Sequence, residues 1–329
     1  MGSESPQLQI RGFADVRYNA TDLEEVNNAF SLGQFDLFIT SKLSNSLSVL
    51  AELVIEADPF TNEFGIEPER ILLNYHRSDY FNVGFGRYHS AIGFYNTAYH
   101  HSSWLQATVD RPFLFDFEDD GGILPIHNVG ITTTGLIPSG SLNLHYVAEV
   151  GNGRAARTEL GQDAVQNLTD ENQGKSFNLA AFVRPDAVRG LQIGASFFHD
   201  RLTPLEGPSV NEVILSAHVV LQRPSFELLN EVVQIRHELV GGTSTANTLG
   251  FYTQVSRRWG DYQPYFRYEY VDVPEDDVIF PDIQRVSGPL FGLRYDWGDY
   301  TALKAQYGHV VRRLEPSFNI FTLQAAFTF

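Results

Sequence analysis

The chain has 329 residues, 43% of them hydrophobic, and contains no cysteine, which excludes a disulfide framework, a cysteine-ligated zinc site and a thiol nucleophile. Its 40 acidic residues outnumber the 23 basic ones and give a formal net charge of −17. No nucleic-acid partner is predicted, because neutralising phosphates needs a basic surface. No run approaches the roughly 18 apolar residues of a membrane-spanning helix, which excludes a helical membrane protein but not a β-barrel, whose strands are apolar only at alternate positions.

The first six residues, 1–6, contain neither a basic segment nor an apolar one. They therefore do not form a signal peptide. We interpret residues 1–6 as an expression leader in front of a mature chain whose signal peptide has been removed. Residues 7–329 are predicted to form a single β-barrel domain.

Apolar and polar residues alternate with period two along the whole domain, which is the pattern of strands with one apolar face. In one such run Leu47, Val49 and Leu53 alternate with Ser48 and Glu52. A strand with about 9–11 residues can cross a bilayer at a tilt. The fold class predicted is all-β, a transmembrane antiparallel β-barrel of sixteen strands. The strands are predicted near 8–18, 30–42, 46–57, 69–77, 80–88, 127–136, 142–150, 175–184, 190–199, 212–222, 226–236, 248–257, 262–272, 287–297, 300–310 and 319–329.

The predicted connections alternate between short and long. The short ones are rich in Gly, Pro, Asn, Asp and Ser, which predicts tight turns. Short turns on one rim and long loops on the other are typical of a transmembrane barrel. We therefore predict short periplasmic turns and long extracellular loops. The long connections are predicted at 19–29, 58–68, 89–126, 151–174, 200–211, 237–247, 273–286 and 311–318.

The last predicted strand ends on Phe329. A strand that runs to a terminal aromatic residue resembles the C-terminal signal of bacterial outer-membrane barrels. Amphipathic aromatic rings prefer the interface between lipid and water, and several aromatic residues lie near the predicted short turns. Together these features predict a location in the bacterial outer membrane. The aromatic residues are Tyr75, Phe81, Trp259, Tyr262, Trp297, Tyr300, Phe327 and Phe329.

The strand count and the rhythm of the loops resemble those of a sixteen-stranded bacterial general porin. Residues 83–93 (VGFGRYHSAIG) and 265–272 (YFRYEYVD) resemble two segments of the phosphate-selective porin O/P-like family. Two features depart from that family: Ala91 replaces its proline, and no lysine-rich loop is present. The resemblance implies a porin, without phosphate as its substrate. It also implies a homotrimer, because general porins of this strand count are usually trimeric.

The resemblance assigns the longest connection, 89–126, to the loop that folds into the pore and narrows it. Its aromatic residues either form a track for the faces of sugars or, as we favour, pack the loop against the inner wall. Its acids are predicted to line the constriction. These acids are Asp116, Glu118, Asp119 and Asp120, and the aromatic residues are Phe94, Tyr95, Tyr99, Trp104, Phe113, Phe115 and Phe117.

A pore needs a width and an electrostatic field rather than a reacting residue. If the apolar faces point to lipid, the polar faces line the lumen. Six basic residues are then predicted to face the lumen, and the last three of them form a ladder on successive strands: Arg11, Arg17, Arg70, Arg267, Arg294 and Lys304. The acidic wall is predicted to include Glu52, Glu56 and Glu269. The acids outnumber the bases and favour a weak preference for cations; the alternative is anion selectivity, if the ladder lies at the narrowest point.

Other chemistry is weakly supported. The pair His100 and His101 has no further ligand at metal-binding spacing and is interpreted as surface histidines. An acidic segment could hold a calcium ion or, as we favour, is solvated. No nucleotide-binding or hydrolase motif is present, and no metal, cofactor or catalytic residue is predicted. The acidic segment consists of Glu275, Asp276, Asp277 and Asp282.

The function predicted from the sequence is an outer-membrane porin that allows small hydrophilic solutes and ions to diffuse passively through a water-filled pore. Its partners are those solutes and the lipid of the outer membrane. Two alternatives stay open. One is an outer-membrane enzyme, for which no convincing Ser/His/acid set is found. The other is a soluble all-β protein that binds carbohydrate or acts in adhesion.

Overall fold

The computed structural model describes residues 7–24, 26–58, 63–99, 103–118, 121–155, 169–170, 172–204, 207–281 and 283–329. The strands are β1 (Gln7–Thr21), β2 (Ala29–Lys42), β3 (Leu47–Asp58), β4 (Glu63–Ser78), β5 (Phe81–His89), β6 (His127–Ile137), β7 (Leu144–Gly151), β8 (Ser176–Val183), β9 (Leu191–Leu202), β10 (Val210–Arg223), β11 (Phe226–Leu239), β12 (Thr245–Arg257), β13 (Tyr262–Asp272), β14 (Val286–Trp297), β15 (Thr301–Arg312) and β16 (Phe318–Thr328). The helices are α1 (Tyr95–Ala98) and two 3-10 turns, Phe113–Phe115 and Gly140–Leu142. Within the described ranges, no helix is long and apolar enough to cross a membrane.

The sixteen strands form one closed barrel. Each strand pairs antiparallel with its neighbours in the sequence, and β1 pairs with β16. At this closure Gly12 and Phe329 exchange two backbone hydrogen bonds of 3.0 Å. Closure leaves no open sheet edge, which matters in lipid because each unsatisfied backbone polar group there costs several kcal/mol. The predicted fold class is confirmed, and the packed sheets of a soluble sandwich are not the fold.

Several strands continue past their predicted ends. β3 and β4 stay paired as far as Asp58 and Glu63, and a register shift between Glu52 and Leu53 places Pro68 within this ladder. A proline has no N–H to donate and is tolerated at such irregularities. The pairing continues because an antiparallel ladder satisfies backbone groups on either side of the membrane boundary. The predicted connections 19–29, 58–68 and 237–247 are therefore corrected to 22–28, 59–62 and 240–244.

The outward faces of the strands are apolar. Ile71 on β4, Leu215 on β10 and Phe291 on β14 are each about half exposed. Exposed apolar side chains that recur all around a closed sheet are expected where the surrounding medium is hydrocarbon. Trp297 and Tyr300, which flank one short turn, are also exposed, as a band of aromatic residues at the membrane interface requires.

Candidate functional site

The connection between β5 and β6 comprises residues 90–126, and we call it the lumen loop. Its described residues, 90–99, 103–118 and 121–126, lie inside the barrel. Near its start the N–H of Gly93 donates to the hydroxyl of Ser216 on β10 at 3.2 Å. Further along, the ammonium of Lys304 on β15 donates to the carbonyl of Thr108 at 2.7 Å. A segment that leaves the sheet between β5 and β6 reaches both β10 and β15 by crossing the lumen.

The three bases predicted as a ladder lie beneath the lumen loop. Arg294 and Lys304 are paired across β14 and β15, and Arg267 is on the neighbouring strand β13. All three are almost completely buried, because their donors are taken up by backbone carbonyls of the loop. The ladder therefore exists on successive strands, but the prediction that it forms an exposed pore wall is corrected. The carbonyls belong to Ser103, Trp104, Gln106, Thr108, Asp110 and Arg111.

Carboxylates on the wall hold the loop through its backbone N–H groups. Glu231 on β11 accepts bonds from the N–H of Phe94 at 2.5 Å and of Tyr95 at 2.9 Å. Glu269 on β13 accepts a bond from the N–H of Phe113 at 2.6 Å. Hydrogen bonds to an ionised acceptor are shorter and stronger than neutral ones. The wall thus binds the loop with carboxylates on β11 and β13 and with bases on β13, β14 and β15.

The three acids predicted to line the wall differ in exposure. Glu269 is buried under the loop, and Glu52 on β3 is buried in an ion pair with Arg70 on β4. Glu56 stays partly exposed and accepts a bond from the side-chain amide of Gln34 at 3.1 Å. The prediction of an exposed acidic wall is therefore corrected for Glu52 and Glu269, whose charges are used to hold neighbouring groups.

An apolar cluster fills the space between the lumen loop and the inner wall formed by β9 to β13. The loop contributes Tyr95 and Phe115, the wall contributes Phe198 and Tyr252, and the connection between β13 and β14 contributes Phe280. The rings of Tyr95 and Phe115 stack with their centroids 5.5 Å apart, and Tyr95 meets Tyr252 edge to face. These aromatic residues of the loop therefore pack against the wall, as we favoured, and do not form an open track for sugars.

Gly93 brings the loop close to the wall. Its φ of +73° is a conformation that residues with a side chain rarely adopt. A Cβ atom at this position would lie 2.4 Å from the Oε2 atom of Glu231 and 2.7 Å from the ring of Phe115. Only glycine fits between the anchoring carboxylate and the apolar cluster.

The loop acids do not form one exposed row. Glu118 is buried, accepts a bond from the N–H of His127 at 3.1 Å, and has its Oε2 atom 3.4 Å from the Nδ1 atom of that ring. Burial by itself raises the pKa of Glu118, but the charge of His127 and these hydrogen bonds outweigh it and lower the pKa. Asp116 is half-buried. Asp119 and Asp120 lie outside the described residues, and the placement of Glu118 in the constriction is corrected.

Charges on another face of the loop stay accessible. Arg17 on β1 donates to Asp15 at 2.6 Å and to Asp110 of the loop at 3.3 Å, with a quarter of its side chain exposed. The side chain of Asp110 is 41% exposed, and that of Arg70 is 22% exposed. Arg11 lies towards the short-turn end of β1 and is exposed. Asp110 was missed from the sequence, because a lone acid between Val109 and Arg111 gives no signal beside the clustered acids that follow.

A cavity of about 480 Å³ lies between the lumen loop and the rim of short turns. Leu105 and Ala107 of the loop form one side of it. The other side carries three guanidinium groups, from Arg189, Arg223 and Arg258. Glu227 also lines the cavity, and Arg258 is paired with Asp296. The space below the loop is therefore polar, with an excess of basic groups.

Three ionisable side chains on neighbouring strands form a group that the sequence did not reveal. Glu69 on β4, His89 on β5 and His127 on β6 are buried, with potential ligand atoms all within 4.8 Å of one another. They are far apart in the sequence and follow no spacing motif, so only the register of the strands brings them together. His100 and His101, predicted as surface histidines, lie outside the described residues.

The acidic segment between β13 and β14 is partly folded into the barrel. Asp277 is buried and accepts a bond from the Nδ1 atom of His237 on β11 at 2.8 Å. Glu275 lies 3.4 Å from Arg313. The favoured interpretation of a solvated segment is therefore wrong for Asp277, which anchors this connection to the wall. Asp282 lies outside the described residues.

No model of a protein family matches the chain, and no curated protein matches it in sequence. Solved structures share its fold. An anion-selective porin from Comamonas acidovorans superposes with a TM-score of 0.68 and 12% identity over 99% of this chain and 100% of that porin. OmpF of Salmonella typhi gives a TM-score of 0.67 and 9% identity over 98% and 97% of the two chains.

OmpT, an outer-membrane protein of Vibrio cholerae in a trimer form, gives a TM-score of 0.63 and 10% identity over 99% of this chain and 100% of OmpT. At these identities the likeness is one of fold. The chain has the barrel that outer-membrane porins have, and the prediction of a porin-like β-barrel fold is confirmed. Its resemblance to the phosphate-selective porin O/P-like family stays a prediction.

Proposed function

We propose that the protein is a porin of the bacterial outer membrane that allows small hydrophilic solutes and ions to diffuse passively. The observation that carries this proposal is the lumen loop, which crosses a closed barrel and is held on the far wall by Glu231 and Lys304. Its accessible face carries charge, with Asp110 opposite Arg17. A restricted, polar passage supplies the width and the field that selective diffusion needs, and the proposal includes no enzymatic activity.

We further propose a weak preference for cations. The competing view, anion selectivity, depends on a basic ladder at the narrowest point, and the loop carbonyls cover Arg267, Arg294 and Lys304. Covering the ladder weakens its field in the passage, whereas Asp110 remains accessible. The basic cavity below the loop opposes this preference and keeps it small. The Comamonas neighbour is itself named an anion-selective porin, so the sign of the selectivity needs a direct measurement.

Planar-bilayer recordings with the purified barrel test both proposals. Stepwise ohmic conductance is expected, with a reversal potential in a salt gradient on the cation side. This preference should fade as salt rises, because the Debye length is about 8 Å at physiological ionic strength and about 3 Å at 1 M. A correctly folded barrel that gives no conductance would overturn the porin function, and an anion-side reversal potential would overturn the cation preference alone.

A homotrimer is proposed on the resemblance to general porins and on a neighbour solved in a trimer form. Small residues allow close packing between proteins in lipid, and Ser41 lies partly exposed near the short-turn end of β2. Gly12 and Ala14 of β1 do not contribute to such a face, because both are buried and the ring of Phe329 covers Gly12. The mass of the native particle in detergent, corrected for bound detergent, is expected to equal three chains. A mass of one chain contradicts the trimer.

The two segments 83–93 and 265–272 support placing the chain in the phosphate-selective porin O/P-like family. The chain has only three lysines, Lys42, Lys175 and Lys304, and Lys304 is buried under loop carbonyls. Phosphate is therefore not the proposed solute. Competition experiments with phosphate during conductance recordings should leave the chloride current unchanged.

A further inference from the structure

Buried ionisable groups form a row on the inner wall over β2 to β6. Asp36, Glu52, Glu69, His89 and His127 occupy five consecutive strands, and each is less than a tenth exposed. His89 and His127 are directly paired across β5 and β6. Such a row is unusual in a barrel wall, because burying ionisable groups is costly unless their charges are balanced.

The last three members of the row have the donor set of a metal site. Two imidazoles and one carboxylate bind Zn²⁺ and related divalent first-row metal ions. Ligands of a tetrahedral ion with bonds of about 2.1 Å lie about 3.4 Å apart. The ligand atoms of Glu69, His89 and His127 are within 4.8 Å of one another, so small side-chain rotations bring them to bonding distance. The Oε2 atom of Glu52, 3.7 Å from the Nε2 atom of His89, is near enough to complete the shell.

A second feature, independent of the three ligands, also fits a metal site. The Nε2 atom of His127 faces the carboxylate of Glu69, while its Nδ1 atom lies 3.4 Å from the Oε2 atom of Glu118. Histidines that bind metals almost always donate their other ring N–H to a carboxylate or carbonyl, which fixes the tautomer and the ring orientation. Phe117 stacks parallel on the same ring. The lumen loop thus holds His127 in the orientation that a ligand needs.

The charges of the site favour a cation. Among the described residues, four carboxylates share the site with three guanidinium groups, those of Arg70, Arg87 and Arg111. When the carboxylates are ionised and both imidazoles are neutral, an excess of one negative charge remains. This excess attracts a cation, and metal ligands are deprotonated groups. The four carboxylates are those of Asp36, Glu52, Glu69 and Glu118.

We propose that Glu69, His89 and His127 bind one divalent transition-metal ion of the Zn²⁺ class inside the barrel. Glu118 is a positioning residue that orients His127. His127 is the first residue of β6 after the lumen loop, and Glu118 belongs to that loop. The ion therefore fastens the returning end of the loop to three strands of the wall, at a distance from the anchors provided by β10 to β15.

Zinc binding to the purified barrel in detergent, first stripped with a chelator, tests the proposal. Calorimetric titration with Zn²⁺ is expected to give one site per chain, and X-ray absorption of the zinc-loaded protein is expected to show two imidazole ligands with oxygen ligands. H89N and H127N should each lose at least 100-fold in affinity. E118Q should keep the stoichiometry and weaken binding by about 10–100-fold, the usual effect of removing an outer-shell partner.

Two variants serve as controls. H218N removes another buried inward histidine, which bonds the side chain of Gln192 at 3.0 Å, and should bind zinc like the unaltered protein. A variant with both His100 and His101 changed to Asn should also keep the site. Heat-modifiable migration on electrophoresis shows which variants have folded.

Three results would overturn the proposal. The first is no saturable zinc site in the unaltered barrel. The second is unchanged affinity in folded H89N and H127N. The third, which decides the matter even where these variants do not fold, is an absorption spectrum of the unaltered protein without imidazole ligands. None of these results affects the conductance on which the porin function rests.

Discussion

Asp110 of the lumen loop and Arg17 of β1 form an ion pair inside the barrel, with Oδ1 and Nη1 3.3 Å apart. The first residue belongs to a loop that enters between β5 and β6, and the second to a strand at the barrel closure. Gln306 of β15 donates a further bond of 2.7 Å to the same carboxylate. The accessible acid of the loop is therefore fixed in position by the wall.

Replacing this acid should change ion selectivity. D110N removes one accessible negative charge, so the reversal potential in a salt gradient is expected to move towards anions. A unit charge acts on an ion 4 Å away with about 1 kcal/mol in water, which limits the change in permeability ratio to about five-fold. D299N, at an exposed short turn, is the matched control and should leave the potential unchanged. An unchanged potential in D110N would show that Asp110 does not face the ion path.

Replacing a buried base of the covered ladder, in contrast to replacing Asp110, should leave ion selectivity nearly unchanged. K304M removes the ammonium that donates to the carbonyls of Ser103 and Thr108. The reversal potential is expected to stay nearly constant, while fluctuations of the open current increase because the loop loses an anchor. R17M, which removes a partly exposed base, should shift the potential towards cations. A large shift of the reversal potential in K304M would show that the basic ladder does line the pore.

Glycine at position 93 is expected to be necessary for seating the loop. G93A forces an L-residue into a φ of +73° and places its Cβ atom 2.4 Å from Glu231, so the free energy of unfolding should fall by about 1–3 kcal/mol. G121A is the matched control, because its φ of +93° is equally unfavourable but the space around it is open. Urea titrations of both barrels separate backbone strain from the close contact. Equal losses of unfolding free energy in G93A and G121A would mean that the close contact of position 93 with Glu231 has no effect on stability.

Among the carboxylates that hold the lumen loop, Glu231 should cause the largest loss of stability when it is replaced. E231A leaves the N–H groups of Phe94 and Tyr95 and the hydroxyl of Tyr252 without their buried acceptor. Each such group costs about 1–3 kcal/mol, so proteolysis within the loop should become faster. E231Q keeps one acceptor oxygen, so its rate of proteolysis should lie between those of E231A and the unaltered protein. E238A, at an exposed surface pair, should change stability by less than about 0.5 kcal/mol.

The fold was predictable because side chains that face lipid have to be apolar, which makes one face of each strand apolar. Leu215 and Phe291 are such side chains, and their alternation with polar neighbours located β10 and β14 within a few residues. Strand ends beyond the bilayer were harder to predict, since nothing in the composition changes there. The predicted connection 58–68 includes Pro68, yet a register shift next to Leu53 accommodates this proline within β4.

The site was only partly predictable. The inward direction of Arg267, Arg294 and Lys304 follows from strand periodicity alone. Their burial does not, because it depends on which carbonyls of a distant loop come to lie over them. The same holds for Glu69 and His127, whose proximity is a matter of register across β4, β5 and β6. Sequence patterns describe one strand at a time, whereas this site is made by contacts between strands and a loop.

Part of the barrel wall has apolar surroundings on both of its faces, with the apolar cluster on the inside and lipid on the outside. On β10 Ile214 is completely buried in the lumen, while the adjacent Leu215 points to lipid. Hydrophobic contacts weaken on cooling and ion pairs weaken with salt. Two sets of contacts of the lumen loop therefore respond to different conditions: the packing of Tyr95 and Phe115 is loosened by cold, and the ion pair of Asp110 by ionic strength.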